Sequence, residues 1–225
     1  MEHSSIQIMQ RVSCLILLSI FFSGCEEPAL YDGPASDLEV QITILDDQYG
    51  YSDVPVLAVF HYSGKMVQIG SSAQVTCNGV ELKWTGLAHG ARVSRLAVGG
   101  KYIFNYSWNG TTTTIEITVP APPVVTSPTN NSTVTRTNNL SITYVAGNGV
   151  GVRGSYSDGS TAIGGSPGLQ PDNGIYTGID GTELKPGPGS VGVTREYNQT
   201  VPNSGFKSAE YTYDTSSASV KIIFQ

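Results

Sequence analysis

The pair Asn109-Gly110 limits the possible folds most narrowly, because it joins two stretches in which apolar residues alternate with polar ones. Asn-Gly is the preferred pair for a two-residue type I′ turn, which connects adjacent antiparallel strands. That turn sets aromatic residues opposite β-branched ones: Trp108 with Thr111, Tyr106 with Thr113, Phe104 with Ile115 and Tyr102 with Ile117. Cross-strand pairs of this kind stabilise a sheet. The sequence therefore predicts a hairpin with one buried face.

A second Asn-Gly pair, Asn78-Gly79, predicts another two-residue hairpin in the same part of the chain. All the apolar residues beside the turn should then share one face of the hairpin, as a half-buried sheet requires. The expected pairs are Cys77 with Val80, Val75 with Leu82 and Ala73 with Trp84. Two hairpins so close together favour an antiparallel sheet.

Short alternating stretches predict further strands along the rest of the chain. Val40, Ile42 and Ile44 alternate with polar residues, and 54–62 is a nearly continuous apolar run typical of a central strand. The second half has similar stretches at 140–144, 151–156, 174–179, 191–195, 209–213 and 220–224. The chain has 26 glycines and only 13% charged residues, a composition typical of proteins with many turns. We therefore predict an all-β fold after the N-terminal segment.

The stretch from Leu96 to Phe104 reads L-A-V-G-G-K-Y-I-F, so that Tyr102 follows the leucine after a glycine-containing turn. This pattern resembles the corner between the E and F strands of immunoglobulin-like and fibronectin type III domains. The resemblance implies an immunoglobulin-like β-sandwich over residues 37–119. It also implies that the Tyr102 hydroxyl bonds to the backbone near the corner.

A proline-rich joint, Pro120-Ala121-Pro122-Pro123, follows the second hairpin directly and predicts a stiff linker. A new unit then begins near Thr126-Ser127-Pro128. A strand followed by prolines and a T-S-P start resembles the tandem immunoglobulin-like modules of bacterial surface proteins. The resemblance implies a second β-sandwich over residues 124–225, joined to the first by the linker at 120–123.

The N-terminal segment has an unbroken run of apolar and small residues over 12–22, preceded by Arg11. A helix of that length spans about 16 Å, well short of the roughly 30 Å hydrocarbon core of a bilayer. The run therefore predicts a helical signal peptide over residues 1–24. Its end, Phe22-Ser23-Gly24-Cys25, resembles the lipobox of bacterial lipoproteins, although the first position of a lipobox is most often leucine.

The lipobox resemblance implies cleavage before Cys25 and a diacylglyceryl group on the Cys25 sulfur, with a further acyl chain such as palmitate on the new amino terminus. An ordinary secretory signal with a chance cysteine is the alternative. Residues 25–36 contain two prolines, a glycine and several acids, and they predict a flexible tether. By the same resemblance, Glu26 differs from the aspartate that retains some lipoproteins in the inner membrane, which favours the outer membrane or the cell surface.

The charge balance argues against two kinds of partner. The formal net charge is −6, which argues against nucleic acid and against adhesion to anionic lipid through basic residues. The expected membrane contact is the lipid on Cys25, and no cofactor or metal is predicted. Acidic loops around Asp46, Asp158 and Asp172 leave a calcium site open as an alternative, but they have the composition of ordinary turns.

Few residues suggest chemistry. Cys77 is the thiol that remains in the folded part, and its apolar surroundings predict a buried structural role. His61 and His89 have no paired carboxylate nearby in sequence, so a non-enzymatic protein is predicted, with a hydrolase assembled in space as the least favoured alternative. Exposed aromatic residues are how many carbohydrate-binding modules stack on sugar rings. The candidate ligand-binding residues are Tyr49, Tyr51 and Trp108, for a glycan or an envelope protein; a structural subunit of an envelope assembly is the other alternative.

Overall fold

The computed structural model describes residues 27–46, 51–159, 163–165, 168–215 and 218–225. The part of the chain up to the linker forms these strands: β1 (Ala29–Tyr31), β2 (Leu38–Leu45), β3 (Asp53–Tyr62), β4 (Lys65–Ile69), β5 (Ala73–Cys77), β6 (Val80–Glu81), β7 (Lys83–Trp84), β8 (His89–Ser94), β9 (Lys101–Trp108) and β10 (Thr111–Thr118). The rest of the chain forms β11 (Val125–Ser127), β12 (Ser132–Val134), β13 (Leu140–Tyr144), β14 (Gly151–Ser157), β15 (Ile163–Gly165), β16 (Ile175–Ile179), β17 (Gly187–Thr200), β18 (Ser208–Asp214) and β19 (Ala218–Phe224).

Helical structure among the described residues is limited to two short 3₁₀ turns, Ala35–Asp37 and Gly181–Glu183. The predicted all-β fold class is confirmed. Within the described ranges no helix is long and apolar enough to cross a membrane.

The hairpin at Asn109-Gly110 forms as predicted. Both residues have positive φ, 47° and 76°, as a type I′ turn requires. β9 and β10 pair in the predicted register, with Phe104 opposite Ile115 and Tyr102 opposite Ile117. These four side chains are at most 1% exposed. This hairpin forms one side of the first hydrophobic core.

The hairpin at Asn78-Gly79 also forms, but its predicted register is only partly right. Cys77 pairs with Val80, and the N–H of Leu82 donates to the carbonyl of Val75 at 2.9 Å. The predicted pairing of Ala73 with Trp84 is wrong. Trp84 pairs instead with His89, in the larger sheet, because the chain leaves the hairpin after β6 and crosses to the facing sheet at β7.

The burial predicted for this hairpin is wrong at one position. Val80 is 40% exposed although it was expected on the buried face. It lies next to the turn, in the two-residue strand at the edge of the four-stranded sheet.

The corner before β9 has the predicted bond. The Tyr102 hydroxyl oxygen accepts a 3.2 Å hydrogen bond from the backbone N–H of Leu96. The Tyr102 ring is fully buried, and this burial, partly offset by the Leu96 bond, raises the pKa of its hydroxyl. The tyrosine corner is therefore confirmed as a local structure.

The first core lies between two sheets. One is the four-stranded sheet in the order β10-β9-β5-β6, and the other is a larger sheet that runs β1-β4-β3-β2-β18-β17-β14-β15. Phe60 of the larger sheet contacts Phe104 of the smaller one, with ring centroids 6.3 Å apart. The predicted alternation in β2 is confirmed, since Val40, Ile42 and Ile44 are buried.

The larger sheet joins the two halves of the chain. β18 pairs in parallel with β2, with Ala209 opposite Val40 and Tyr213 opposite Ile44. The first core accordingly contains residues from beyond the linker: Tyr197, Phe206, Ala209 and Tyr213. The sequence did not predict this pairing. The division into units at 37–119 and 124–225 stays a prediction, but β18 belongs by its packing to the first core.

A second core lies between a three-stranded sheet, in the order β11-β13-β16, and the part of the larger sheet formed by β14, β17 and β19. Apart from Leu184, its side chains come from the stretches in which the sequence predicted strands. The buried members are Leu140, Ile142, Tyr144, Val152, Tyr176, Ile179, Leu184, Val191, Val193, Ile222 and Phe224.

The tether predicted over 25–36 is replaced by ordered structure from Ala29 onward. β1 pairs in parallel with β4, and Tyr31 and Ala35 are buried in the first core. The Tyr106 hydroxyl donates a 2.7 Å hydrogen bond to the carbonyl of Gly33. Gly33 and Pro34 lie between β1 and the 3₁₀ turn Ala35–Asp37, so a stretch whose composition predicted a flexible tether packs on the core from Tyr31 onward.

Candidate functional site

A groove opens where the four-stranded sheet ends. β10 is the terminal strand of that sheet, whereas the facing sheet continues past β18 to β17. The resulting step leaves part of the inner face of β17 and β18 uncovered by the four-stranded sheet. We call this space, of about 600 Å³, the junction groove; its lining includes Tyr197, Gln199, Tyr211, Glu116, Thr118, Pro120, Ala121 and Asn148.

Strand periodicity explains the floor of the junction groove. Tyr197 and Gln199 are two residues apart on β17, and successive side chains of a strand alternate between faces. Gln199 lies directly opposite Tyr211 of β18. Tyr197 is 7% exposed and belongs to the first core, and Tyr211 packs against the same core while it stays partly exposed. The floor is therefore aromatic, with an amide beside it.

The polar groups of the groove are mostly neutral. The Tyr211 hydroxyl donates a 2.7 Å hydrogen bond to Oε1 of Gln199, and this bond does not use the two N–H donors of the Gln199 amide. Burial raises the pKa of the Tyr211 hydroxyl, with the neighbouring Tyr197 as a further cause. Glu116 at the wall pairs with Lys101 on the adjacent strand at 2.5 Å. The groove thus offers neutral hydrogen-bonding groups over aromatic surface.

A buried ion pair fixes the loop that carries Asn148. Nε of Arg195 lies 2.7 Å from Oδ2 of Asp172, and these side chains are 6% and 2% exposed. Arg195 also donates to the carbonyl of Val145 at 2.6 Å, and Oδ2 of Asp172 accepts the N–H of Gly149 at 3.0 Å. Burial opposes the charge of Arg195, but the bond and charge of Asp172 outweigh it and raise the pKa of the guanidinium.

The glycines on either side of Asn148 are required by this packing. A Cβ at Gly147 would lie 2.5 Å from Cζ of Arg195, and a Cβ at Gly149 would lie 2.6 Å from its Cγ. The loop therefore closes directly over the arginine side chain. Sequence reasoning treated the carboxylate of Asp172 as part of an acidic turn and did not identify this pair.

Of the aromatic residues predicted as ligand contacts, the structure describes Tyr51 and Trp108, and it places them in different surroundings. Cys25 and Tyr49 lie outside the described residues. Tyr51 is 43% exposed, and the guanidinium of Arg92 lies 5.1 Å from its ring centroid. Trp108 packs against the first core and pairs with Ala73 and Thr111. Neither Tyr51 nor Trp108 lines the junction groove.

The two histidines of the described part do not form a catalytic pair with each other. Nε2 of His89 accepts the N–H of Ile69 at 3.0 Å, and Nδ1 faces the carbonyl of Leu82 at 3.2 Å. Both nitrogens of this buried ring are thus used by the backbone in the neutral form. Burial lowers the pKa of His89, and the Leu82 bond offsets only part of the effect. His61 pairs with Met66 and Glu39 in the middle of the larger sheet.

Cys77 has the environment that its sequence context predicted. Its side chain is 1% exposed in the first core, and burial raises the pKa of the thiol to about 12. A thiol that stays protonated at neutral pH is a poor nucleophile.

The acidic loops use their carboxylates within the chain. Oδ1 of Asp46 lies 2.7 Å from Nε of Arg95, and Asp172 pairs with Arg195 as described above. Asp180 accepts from the backbone and the hydroxyl of Thr182. Within the described ranges no group of three or more His, Cys, Asp or Glu side chains is placed to hold a metal ion.

The comparisons with known proteins bear on the fold alone. No protein-family model and no curated protein matches the chain. Matches among solved structures include an I-band fragment of titin at 10% identity and a TM-score of 0.22, covering 86% of this chain and 65% of the fragment. A chimeric titin Z1Z2 tandem matches at 14% identity and a TM-score of 0.21, covering 87% of this chain and 100% of the tandem. Immunoglobulin domains 1–4 of Sidekick-1 match at 15% identity and a TM-score of 0.20, covering 86% of this chain and 52% of the Sidekick-1 chain.

These neighbours are proteins built from immunoglobulin-like domains. The chain spans about two thirds of the length of the titin I-band fragment. Because the TM-scores are so low, the β-sandwich architecture rests on the strands and cores of this chain itself.

Proposed function

We propose that the protein is a lipoprotein of the bacterial cell envelope that presents non-enzymatic β-sandwich modules to a glycan or protein partner. The observation that carries the proposal is the lipobox-like end of the apolar run, Phe22-Ser23-Gly24-Cys25, which comes directly before the fold. Only residues 26–28 separate Cys25 from Ala29, the first residue of β1. A lipid on Cys25 would therefore connect almost directly to the first core.

The physical consequence is close attachment. Four residue steps of extended chain span at most about 14 Å, so β1 would lie near the bilayer surface. Each buried methylene contributes roughly 0.8 kcal/mol, and two or more acyl chains give stable anchoring where one does not. Because β1 packs into the first core through Tyr31, the anchor would hold the folded part itself close to the membrane.

Metabolic labelling tests the anchor. The full chain, with an epitope tag at its carboxy end, is expressed in a two-membrane bacterium that is fed labelled palmitate. We expect the wild-type protein to carry label and to sediment with membranes, and Cys25→Ala to lose both properties. Cys14→Ala is the matched control, since Cys14 lies in the predicted signal and should leave labelling unchanged. Label on Cys25→Ala, or none on the wild type, would overturn the lipoprotein assignment.

Protease treatment of intact and opened cells then locates the modules. Loss of the tag from intact cells would place the carboxy end outside the outer membrane, as the proposed surface display requires. Protection until the cells are opened would restrict the proposal to periplasmic partners.

A further inference from the structure

We infer that the junction groove binds a neutral saccharide chain, with Tyr211 as the stacking surface. The inference rests on the proposed function, for which it names the class of ligand and the site. The site differs from the aromatic residues that the sequence indicated, because it is created by the step between two sheets.

The first argument is the shape of the floor. A tyrosine presents an apolar ring for contact and a polar tip for hydrogen bonding. Tyr211 faces Gln199, and Tyr197 faces Tyr213, so Tyr211 and Tyr197 are diagonal neighbours on adjacent strands. Such neighbours lie about 7–8 Å apart. Tyr211 is partly exposed, whereas Tyr197 is nearly buried at 7%; the open aromatic surface of the groove is therefore mainly that of Tyr211.

The second argument is the type of polar group around that surface. Gln199 and Asn148 carry amides, and Thr118 and Thr200 carry hydroxyls, at the lining of the groove. These groups both donate and accept hydrogen bonds, as the hydroxyls of a sugar do. The bond from Tyr211 orients the Gln199 amide, and its unused N–H donors are available to a ligand.

The third argument is charge. Glu116 is the charged residue among the described residues that line the groove, and Lys101 already pairs with it. No lining side chain in the described structure carries a positive charge, and the chain has a net charge of −6. An acidic polysaccharide would meet no counter-charge in the groove. These features favour a neutral saccharide.

The wall of the groove argues against a peptide that adds to the sheet edge. Strand addition needs a free edge several residues long, and strands are usually five or six residues long. A Cβ at Gly205 would lie 3.0 Å from Cγ2 of Thr113, so the chain at Gly205 lies directly against β10 at that residue. From β10 itself, only Glu116 and Thr118 reach the groove.

The fourth argument is preorganisation. The Arg195–Asp172 ion pair holds the loop of Asn148 through Val145 and Gly149. A site whose loop is already fixed loses less conformational freedom on binding. The ion pair therefore acts as a positioning element for one side of the groove.

Affinity electrophoresis tests the inference with the full chain in detergent. Native gels contain starch, xyloglucan, galactomannan or laminarin as neutral probes, and polygalacturonate as an acidic one. We expect at least one neutral polysaccharide to slow the wild-type protein and polygalacturonate not to slow it. Tyr211→Ala should weaken the effect at least ten-fold. Thr118→Trp, which fills the groove from an exposed wall position, should do the same without removing any floor contact.

Tyr62→Ala is the matched control, since it removes an exposed tyrosine, 44% accessible, that does not line the groove, and it should bind like the wild type. Thermal unfolding of each variant establishes that it is folded. Wild-type binding to none of the neutral polysaccharides, or only to polygalacturonate, would overturn the inference. So would wild-type affinity in both Tyr211→Ala and Thr118→Trp.

The same gels separate this inference from the proposed anchor. Cys25→Ala, which tests the lipid, should keep full affinity for the polysaccharide because it leaves the described lining of the groove unchanged. Binding without palmitate labelling would uphold the groove and overturn the anchor. Palmitate labelling without polysaccharide binding would uphold the anchor and overturn the groove as a saccharide site.

Discussion

The hydroxyl of Tyr213 donates a 2.9 Å hydrogen bond to Oδ2 of Asp46, and both side chains are buried. Asp46 directly follows β2, and Tyr213 lies in β18, which comes from the other half of the chain and runs parallel to β2. The second oxygen of the carboxylate lies 2.7 Å from Nε of Arg95. One polar cluster, formed by the buried Asp46 and Tyr213 and the partly exposed Arg95, therefore connects three distant parts of the sequence.

Removing the Tyr213 hydroxyl should weaken the fold. Tyr213→Phe keeps the ring but leaves one oxygen of the buried Asp46 carboxylate without its donor, which typically costs about 1–3 kcal/mol. Tyr211→Phe is the control, since its hydroxyl bond to Gln199 is exposed and its loss should change stability by no more than about 0.5 kcal/mol. Urea unfolding measures both variants. Equal effects in the two would contradict the importance of the buried bond.

A chain that ends at Pro123 should not fold stably. Without β18, the parallel edge of β2 is unpaired and the first core loses Ala209, Tyr213 and Phe206. We expect the 27–123 fragment to exchange its amide hydrogens rapidly and to be cleaved by low protease concentrations, in contrast to the full chain. A cooperative thermal transition of the fragment would instead establish 37–119 as an independent domain with its boundary at 120–123.

Breaking the ion pair under the Asn148 loop should be costly. Arg195→Met leaves the carboxylate of Asp172, 2% exposed, without its counter-charge, and removal of one partner of a buried pair typically costs about 3–5 kcal/mol. The pair of Lys207 and Glu39 is much more exposed, at 55% and 37%. Lys207→Met should therefore lower the free energy of unfolding far less than Arg195→Met does. Comparable losses of unfolding free energy in the two variants would contradict the prediction.

His89 should make stability depend on pH in the mildly acidic range. Burial lowers its pKa in the folded protein below the ordinary value of 6.5. As the pH falls below about 6.5, the unfolded chain binds a proton that the folded chain does not. The free energy of unfolding should therefore fall with decreasing pH, by at most about 1.4 kcal/mol per pH unit, until the pH passes the folded pKa.

Two histidine variants isolate this effect between pH 7 and 5.5. His89→Gln should be less stable at pH 7, because it disturbs the hydrogen bonds that the ring makes with the N–H of Ile69 and the carbonyl of Leu82. Its free energy of unfolding should depend less steeply on pH than that of the wild type. His61→Gln should keep the slope of the wild type. A wild-type slope in His89→Gln would show that other groups cause the pH dependence.

Local features of the fold were predictable because their causes are local. Asn109-Gly110 and Asn78-Gly79 adopt positive φ, which asparagine and glycine tolerate better than other residues, so the turns could be read from the residues themselves. The period of two in β2 and the tyrosine corner at Tyr102 also depend on neighbours within a few residues. The Ala73–Trp84 pairing failed because the chain changes sheets at β7, which no local pattern marks.

The candidate site was less predictable than the fold. Tyr197, Gln199 and Tyr211 appear in the sequence as ordinary alternating residues of two strands. Their place at the lining of the groove depends on where the opposite sheet ends. Tyr51 and Trp108 were conspicuous in the sequence, but the cation–π contact to Arg92 and the packing against the first core use these aromatic residues within the protein itself.

The sequence by itself determined most of the longer strands, the two type I′ turns and the tyrosine corner, because these depend on backbone preferences and on side-chain alternation over short distances. Only the tertiary structure decided that β18 joins β2, that residues 29–37 pack on the first core and that a groove opens beside β10. Those outcomes depend on which apolar faces cover each other. Any pairing of segments that removes enough apolar surface from water is stabilised by the hydrophobic effect. Which distant segments pack together therefore depends on how their surfaces fit, and no local sequence pattern marks it.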